Sequence, residues 1–229
     1  MNQSVSQGVA NFEFKLPLYY VVGLTLICSF ASGLTYIFVL WLLPDNVPQH
    51  TGVAAGLAMQ LTFLAGMLRS YQKYYRRQMF TAMALTRPRH FLPLMALALF
   101  CFGVELLLFQ FIEPSEQDFQ WMADTIGSLP LWLSLLTVVL LAPLVEELFF
   151  RQMFWAGLRE QFHSPLIATL ISSALWALIH TQYSFQGVST LFLYGILLGY
   201  LRHKSSSVIP CILLHSAINA LALAELHLG

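Results

Sequence analysis

Long apolar stretches constrain this sequence more than any other feature. A helix needs about 20 mostly apolar residues to cross a bilayer, and several runs approach or exceed that length. Backbone polar groups in lipid must be satisfied internally, so runs of this length favour membrane-spanning helices. We predict an all-α, polytopic transmembrane helix bundle of about seven spans, within a range of six to eight. The candidate spans lie near residues 17–43, 52–68, 91–112, 130–158, 165–187, 188–201 and 208–227.

The residue composition excludes an ordinary soluble domain. Hydrophobic residues make up 58% of the 229 residues and charged residues only 10%, and the mean hydropathy is +0.69. The formal net charge is zero, so no nucleic-acid partner is expected, and the expected partner is the lipid bilayer. All three cysteines fall within predicted spans, which argues against a disulfide framework. They are Cys28, Cys101 and Cys211.

Basic and acidic residues are separated along the chain. Residues 69–90 hold six basic residues and no acid, whereas residues 113–128 hold four acids and neither Lys nor Arg. Because positively charged loops stay in the cytoplasm, this separation predicts an odd number of spans and a cytoplasmic N-terminus, near Lys15. Short loops indicate a bacterial type of chain, so the predicted location is the bacterial inner (cytoplasmic) membrane.

Two adjacent carboxylates interrupt the fourth predicted span, in the stretch APLVEELFFRQ at 142–152. Ionisable residues within a span are costly and usually mark function. Glu147 and Arg151 are four residues apart and therefore share a helix face, in the order that favours an ion pair. Glu146 is rotated by about 100° from Glu147, so one arginine cannot easily neutralise both acids, and Glu146 is left free. Pro143 predicts a bend that frees a backbone carbonyl beside the pair.

Two later spans carry histidines at a similar depth. His180 ends an apolar run, with Trp176 one turn earlier on the same face. In the last predicted span, His215 and Asn219 are separated by four residues. A free carboxylate and two histidines from three different spans can therefore meet at one point, within roughly two helical turns of the membrane midplane.

The order of these residues resembles that of the CAAX protease and bacteriocin-processing (CPBP, or Abi) family of intramembrane endopeptidases. Its three motifs correspond here to Glu146-Glu147-x-x-x-Arg151, Trp176-x-x-x-His180 and His215-x-x-x-Asn219. The first position of the second motif is commonly Phe in the family, and Trp still allows stacking. The resemblance divides the chain into N-terminal helices and loops over 1–129 and a catalytic core over 130–229.

The resemblance implies a hydrolase with its active site inside the membrane, acting on a peptide or a membrane-tethered protein. Glu146 and His180 would activate a water molecule, and His215 and Asn219 would donate hydrogen bonds to the oxyanion. The remaining motif residues would have supporting roles. Glu147 and Arg151 would hold the helix and orient Glu146, and Trp176 would lie at the substrate cavity. No cofactor is expected for this glutamate-type mechanism.

Two other catalytic mechanisms use residues of the same motifs. Glu146, His180 and His215 also have the donor types of a three-ligand zinc site with an open position, which would make the protein a metallopeptidase. A cysteine peptidase could use Cys211 with His215 and Asn219, but a single helix would then hold all three in an unfavourable row.

Non-catalytic readings stay open as well. Intramembrane carboxylates also serve proton relays in transporters, although the sequence has no inverted repeat. An immunity or scaffold protein could keep the same helices, and each motif alone is compatible with polar contacts between helices. Gly195 and Gly199 predict a close, purely structural helix–helix contact of the small-xxx-small type.

Overall fold

The computed structural model describes residues 16–42, 48–109, 115–127 and 129–228. All regular secondary structure in these ranges is helical, which confirms the predicted all-α bundle. One short turn, Met79–Ala82, lies between the second and third of eight longer helices. These are α1 (Leu18–Leu42), α2 (Pro48–Tyr75), α3 (Phe91–Phe109), α4 (Glu116–Met122), α5 (Leu131–Phe162), α6 (Pro165–Leu178), α7 (Phe185–Ser205) and α8 (Ile209–Leu228).

Three of the described helices are long and apolar enough to cross a membrane on their own. They comprise Leu18–Val39, Leu131–Phe162 and Ile209–His227, and two shorter helices are also apolar, Phe91–Val104 and Pro165–Leu178. The count of seven spans stays a prediction. Lys15 and the predicted span ends at 43 and 110–112 lie outside the described residues.

The predicted boundary between the fifth and sixth spans is wrong. The spans were placed at 165–187 and 188–201, whereas α6 ends at Leu178 and α7 begins at Phe185. Ser184 caps α7, because its hydroxyl accepts a hydrogen bond from the N–H of Gly187 at 3.1 Å. Hydropathy does not detect such a cap. His180 therefore lies in a loop beyond the end of α6 instead of inside a helix.

Helix α5 is central to the core, and α6 and α7 pack closely against each other. Every residue from Glu147 to Leu158 of α5 is buried. A Cβ atom added to Gly195 would lie 2.8 Å from the Cβ of Ser173, and one added to Gly199 would lie 2.5 Å from the Cγ2 of Thr169. The close contact predicted for the two glycines is thus confirmed.

One end of the bundle gathers the basic segments. The N–H of Arg89 donates to the carbonyl of Ser205 at 2.8 Å, and the N–H of Val208 donates to the carbonyl of Ala84 at 3.0 Å. The hydroxyl of Ser207 adds a bond of 2.8 Å to the carbonyl of Thr86. These bonds attach residues 84–89 to the α7–α8 connection.

The acidic segment lies at the other end of α7. Its residue Asp118 binds Ser184, at the start of α7, whereas Ser205 ends that helix. Leu223 lies near the C-terminal end of α8. Together with Ile126 of the acidic segment, it belongs to one buried apolar cluster at this end. The motif residues lie on and beside the helices that join these two ends.

Candidate active site

Helix α5 departs from α-helical geometry on both sides of the paired glutamates. Wider π-helical turns, in which an N–H bonds to the fifth carbonyl before it, cover Leu135–Leu141 and Glu147–Phe154. Such turns are rare in proteins and often occur at functional sites. The short α-helical stretch between them, Ala142–Glu146, contains Pro143 and ends at the first glutamate.

The proline in α5 explains the position of Asn219. The N–H of Ala142 donates to the carbonyl of Thr137, five residues back. The next N–H in this register would come from Pro143, which has none. The carbonyl of Val138 therefore lacks a helical donor, and the side-chain amide of Asn219 donates to it at 2.8 Å. A motif residue thus satisfies the carbonyl that the proline frees.

Glu147 is completely buried between a cation and a histidine. Its Oε2 atom lies 3.4 Å from Nε of Arg151, and its Oε1 atom lies 3.0 Å from Nδ1 of His215. An ionised carboxylate only accepts hydrogen bonds, so Nδ1 of His215 carries the hydrogen and Nε2 is the nitrogen available to other groups. Glu147 therefore orients His215, and the role that the family resemblance implied for it, orienting Glu146, stays a prediction.

The guanidinium of Arg151 makes few polar contacts. It is buried, and its centre lies 4.5 Å from the ring centre of Trp176, a cation–π arrangement. Its nitrogens have no hydrogen-bond partner among the described residues. Arg151 therefore stabilises the site mainly by charge and by stacking, with Glu147 on one side and the indole on the other.

We expect Arg151→Ala to lower the free energy of unfolding by roughly 1–3 kcal/mol, because Glu147 would lose the cation beside it. His215 would still bind Glu147 in this variant. The double variant Arg151→Ala/Glu147→Gln should regain part of the loss, since the uncompensated charge is removed. Thermal unfolding in detergent measures both changes.

The exposed Arg159, on the same helix, supplies the control. Its guanidinium lies 5.6 Å from the ring centre of Trp155, so Arg159→Ala also removes a cation stacked on an indole. This variant should unfold at nearly the wild-type temperature. Equal stability of the single Arg151 variant and the double variant would argue against a functional ion pair.

Trp176 connects the motif residues of three helices. Its indole Nε1 donates to Oε2 of Glu146 at 2.7 Å. The indole is packed edge-to-face against the rings of His180 and His215, with centroid distances of 5.2 and 5.4 Å. Trp176 is only 2% exposed, so it is a buried connector, and its role at a substrate cavity stays a prediction.

His180 is held in one orientation although it lies beyond helix α6. Its Nδ1 atom lies 2.7 Å from the backbone carbonyl of Trp176, and its N–H donates to the carbonyl of Ala177 at 3.1 Å. A carbonyl only accepts, so Nδ1 carries the hydrogen, and Nε2 of the neutral ring is a proton acceptor. Both motif histidines therefore use Nδ1 for support and keep Nε2 for chemistry.

The predicted site residues form two hydrogen-bonded groups, and Trp176 contacts residues of both groups. Glu146 and His180 both bond to Trp176, and Glu147 bonds to His215. No direct hydrogen bond links Glu146 to His180 among the described residues. In the same ranges, no three His, Cys, Asp or Glu side chains are grouped closely enough to hold one metal ion.

Cys211 does not form the predicted alternative arrangement of a cysteine peptidase. Its thiol is buried and donates to the carbonyl of Leu198 at 3.2 Å. The Nδ1 atom of His215 faces Glu147. The thiol and the imidazole therefore have separate partners, and this argues against Cys211 as a nucleophile.

Two contacts of the site were missed by sequence reasoning. The bond between His215 and Glu147 joins residues that are 68 positions apart, and neither helix carries a local signal for it. The bond between Asn219 and Val138 did have a signal, because Pro143 pointed to a freed carbonyl.

Comparison with known proteins supports the family resemblance over the core region. Residues 128–221 match the family model described as type II CAAX prenyl endopeptidase Rce1-like. The chain is 31% identical over 98 residues to the UPF0177 protein YxdF of Lactococcus lactis subsp. lactis (strain IL1403). It is 33% identical over 93 residues to an Escherichia coli protein with the name uncharacterized 24.3 kDa protein.

These matches cover part of each protein. They comprise 43% and 40% of this chain, and the chain spans about half the length of the curated relatives, 52% and 43%. No solved structure matches the chain. The family predicted from the three motifs is confirmed over residues 128–221, and the division of the chain at residue 129 stays a prediction.

Proposed function

Because residues 128–221 match the family model described as type II CAAX prenyl endopeptidase Rce1-like, we propose that this chain is an intramembrane endopeptidase. It hydrolyses a peptide bond in a membrane-associated protein or peptide. The observation that carries the proposal is the convergence on Trp176 of Glu146, His180 and His215, which come from three separate parts of the chain.

Glu146 is the general base of the proposed reaction. One of its oxygens accepts from Trp176, and the other takes a proton from a water molecule that attacks the scissile carbonyl carbon. Nε2 of His180 accepts a second hydrogen bond from the same water. When the tetrahedral intermediate collapses, the C–N bond breaks and the Glu146 carboxyl returns its proton to the departing amine. The water is consumed and the glutamate is regenerated.

His215 and Asn219 are the proposed oxyanion donors. Asn219 uses one amide hydrogen for the carbonyl of Val138 and has a second one to donate. His215 can donate through Nε2 only when that nitrogen also carries a hydrogen, because Glu147 occupies Nδ1. Donors held in place before the reaction stabilise the developing charge without a reorganisation cost.

We propose that the reaction needs no metal ion. The zinc alternative would use Glu146, His180 and His215, whose donor types suit zinc. The contact that supports the glutamate mechanism is the bond from Trp176, which occupies one oxygen of Glu146. The two imidazoles are anchored through Nδ1 and leave Nε2 available, an arrangement that suits either mechanism.

The proposed location is the bacterial inner membrane, with the N-terminus in the cytoplasm. The apolar helices and the bacterial relatives support this location. The proposed partners are the lipid bilayer and a peptide or membrane-tethered protein, and no nucleic acid. Maturation of a bacteriocin or of another membrane-associated peptide is a suitable reaction for such a site.

The proposed function is tested by peptide-end proteomics of cell membranes. Cells that produce the wild-type protein should contain a peptide end that disappears in cells producing Glu146→Ala at an equal level. A matched strain producing Glu225→Ala, which changes an exposed acid of α8, should keep that peptide end. If the peptide ends of the wild-type and Glu146→Ala strains are identical, the proposal fails.

A further inference from the structure

His180 needs support from outside its own helix. It is the second residue after Leu178, where α6 ends, and it belongs to the His180 loop, residues 179–184. The bonds to Trp176 and Ala177 hold its Nδ1 atom and its backbone. The far end of the loop is held by residues 116–127, which we call the acidic cap.

Asp118 of the acidic cap binds the last residue of the loop with both carboxylate oxygens. Oδ1 accepts from the backbone N–H of Ser184 at 2.6 Å, and Oδ2 accepts from its hydroxyl at 2.8 Å. The same hydroxyl accepts from the N–H of Gly187. Bonds to an ionised carboxylate are short and stronger than neutral ones, and a negative charge is also favoured at the N-terminus of a helix such as α7.

The fit around this carboxylate is close. A Cβ atom at Gly187 would lie 2.5 Å from Oδ2 of Asp118. A residue with a side chain there would displace the carboxylate, so the sequence Ser184-x-x-Gly187 at the start of α7 is matched to Asp118. The bond joins positions 66 residues apart.

Aromatic rings connect the acidic cap to the imidazole itself. Trp121, one turn after Asp118 on α4, contacts the ring of Tyr183 edge-to-face with a centroid distance of 5.3 Å. Tyr183 is stacked beside His180, with ring centroids 6.2 Å apart and planes inclined by 25°. The imidazole of His180 thus contacts both Trp176 and Tyr183, and Tyr183 is supported by the acidic cap.

We infer that Asp118 is a positioning residue for His180, acting through Ser184 and the loop that carries Tyr183. This inference rests on the proposed function, in which His180 binds the attacking water. Asp118 precedes the region matched by the family model, 128–221, so the match assigns it no role. Asp118 accordingly supports the catalytic unit, although it precedes the catalytic core predicted at 130–229.

We call the two hydrogen bonds from Ser184 to Asp118 the clamp. Its loss should lower the turnover rate more than the affinity for substrate. Small displacements of a catalytic group are costly, and a shift of about 1 Å can lower a rate about 100-fold. We expect Asp118→Ala to lower kcat by about 10- to 100-fold and to change KM by less than about threefold. Asp118→Asn keeps an oxygen for the N–H of Ser184 and should recover most of the lost rate.

Hydrogen exchange tests the clamp without a substrate. In Asp118→Ala, the amides of residues 179–187 should exchange about 10- to 100-fold faster than in the wild type, since two charge-assisted bonds are lost. In Asp118→Asn, most of the protection should remain. The control is Glu116→Ala, which removes an exposed acid from the same helix and should leave both exchange and kcat at wild-type values.

The results separate this inference from the proposed function. Wild-type exchange or wild-type kcat in Asp118→Ala would overturn the inference, even when Glu146→Gln is inactive. An equal loss of kcat in Asp118→Asn and Asp118→Ala would overturn it as well, because the clamp geometry would then be irrelevant. If Glu146→Gln cleaves normally, the proposed function fails, and the exchange experiment alone decides whether Asp118 fixes the loop.

Discussion

Glu146→Gln is expected to lower the rate of peptide hydrolysis by about 10²- to 10⁴-fold, the contribution of a well-placed general base. Glutamine has nearly the same shape as glutamate, and its oxygen can still accept the hydrogen bond from Trp176. The amide cannot take a proton from water. Expression, membrane insertion and thermal stability should therefore stay near the wild-type values while chemistry is lost. The measurement is single-turnover cleavage, by purified protein, of the peptide identified in the membrane proteomics.

The matched control for this experiment is Glu225→Gln, the same substitution at an exposed position of α8. It should cleave at the wild-type rate. Because the substitution at Glu146 preserves the shape of the side chain, a large loss confined to Glu146→Gln indicates a chemical role for the carboxylate. Wild-type cleavage by purified Glu146→Gln would refute glutamate catalysis.

Local patterns in the sequence predicted the fold class and the helices that carry the motifs. Apolar length fixed the helical bundle, and α5 and α8 cover most of the predicted spans 130–158 and 208–227. The four-residue step from Glu147 to Arg151 brought a carboxylate and a guanidinium close together, as its spacing suggested. Each of these features depends on neighbours within a few turns of one helix.

Contacts between distant elements could not be predicted in the same way. Glu147 binds His215 at the point where α5 widens into π-helical turns, and no residue pattern marks where such turns begin. Asp118 lies on α4, in an acidic segment whose polar composition is typical of a connection outside the membrane. Its bond to Ser184 could not be predicted, because the predicted fifth span, 165–187, included the whole His180 loop. The conformation of the His180 loop therefore depends both on the Ser184 cap of α7 and on the bond to Asp118, which is distant in the sequence.

Asn219→Ala is expected to lower the rate by about 10²- to 10³-fold, or roughly 2.7–4 kcal/mol of transition-state stabilisation, as for the loss of one oxyanion donor. The same change also leaves the carbonyl of Val138 without its hydrogen bond, so lost stability has to be separated from lost catalysis. Pro143→Ala offers that separation, because alanine supplies an N–H in the register that reaches Val138. The double variant Asn219→Ala/Pro143→Ala should be more stable than Asn219→Ala. It should stay inactive, whereas Pro143→Ala alone should be active. Recovery of activity in the double variant would make Asn219 a structural cap.

The competing zinc mechanism makes a different forecast for the histidines. As zinc ligands, His180 and His215 would each be needed to retain the metal, and Asn219→Ala would leave the bound metal in place. In the glutamate mechanism, wild-type protein freed of metal by exhaustive chelation and dialysis should keep its full activity. Elemental analysis of the wild type and of His215→Ala, together with assays before and after chelation, decides between the two. Stoichiometric zinc in the wild type, lost in His215→Ala, would overturn the glutamate mechanism if chelated wild type also regained activity only on addition of zinc. We expect the chelated wild type to be active, because Trp176 binds one oxygen of Glu146 and leaves the other to act as the base.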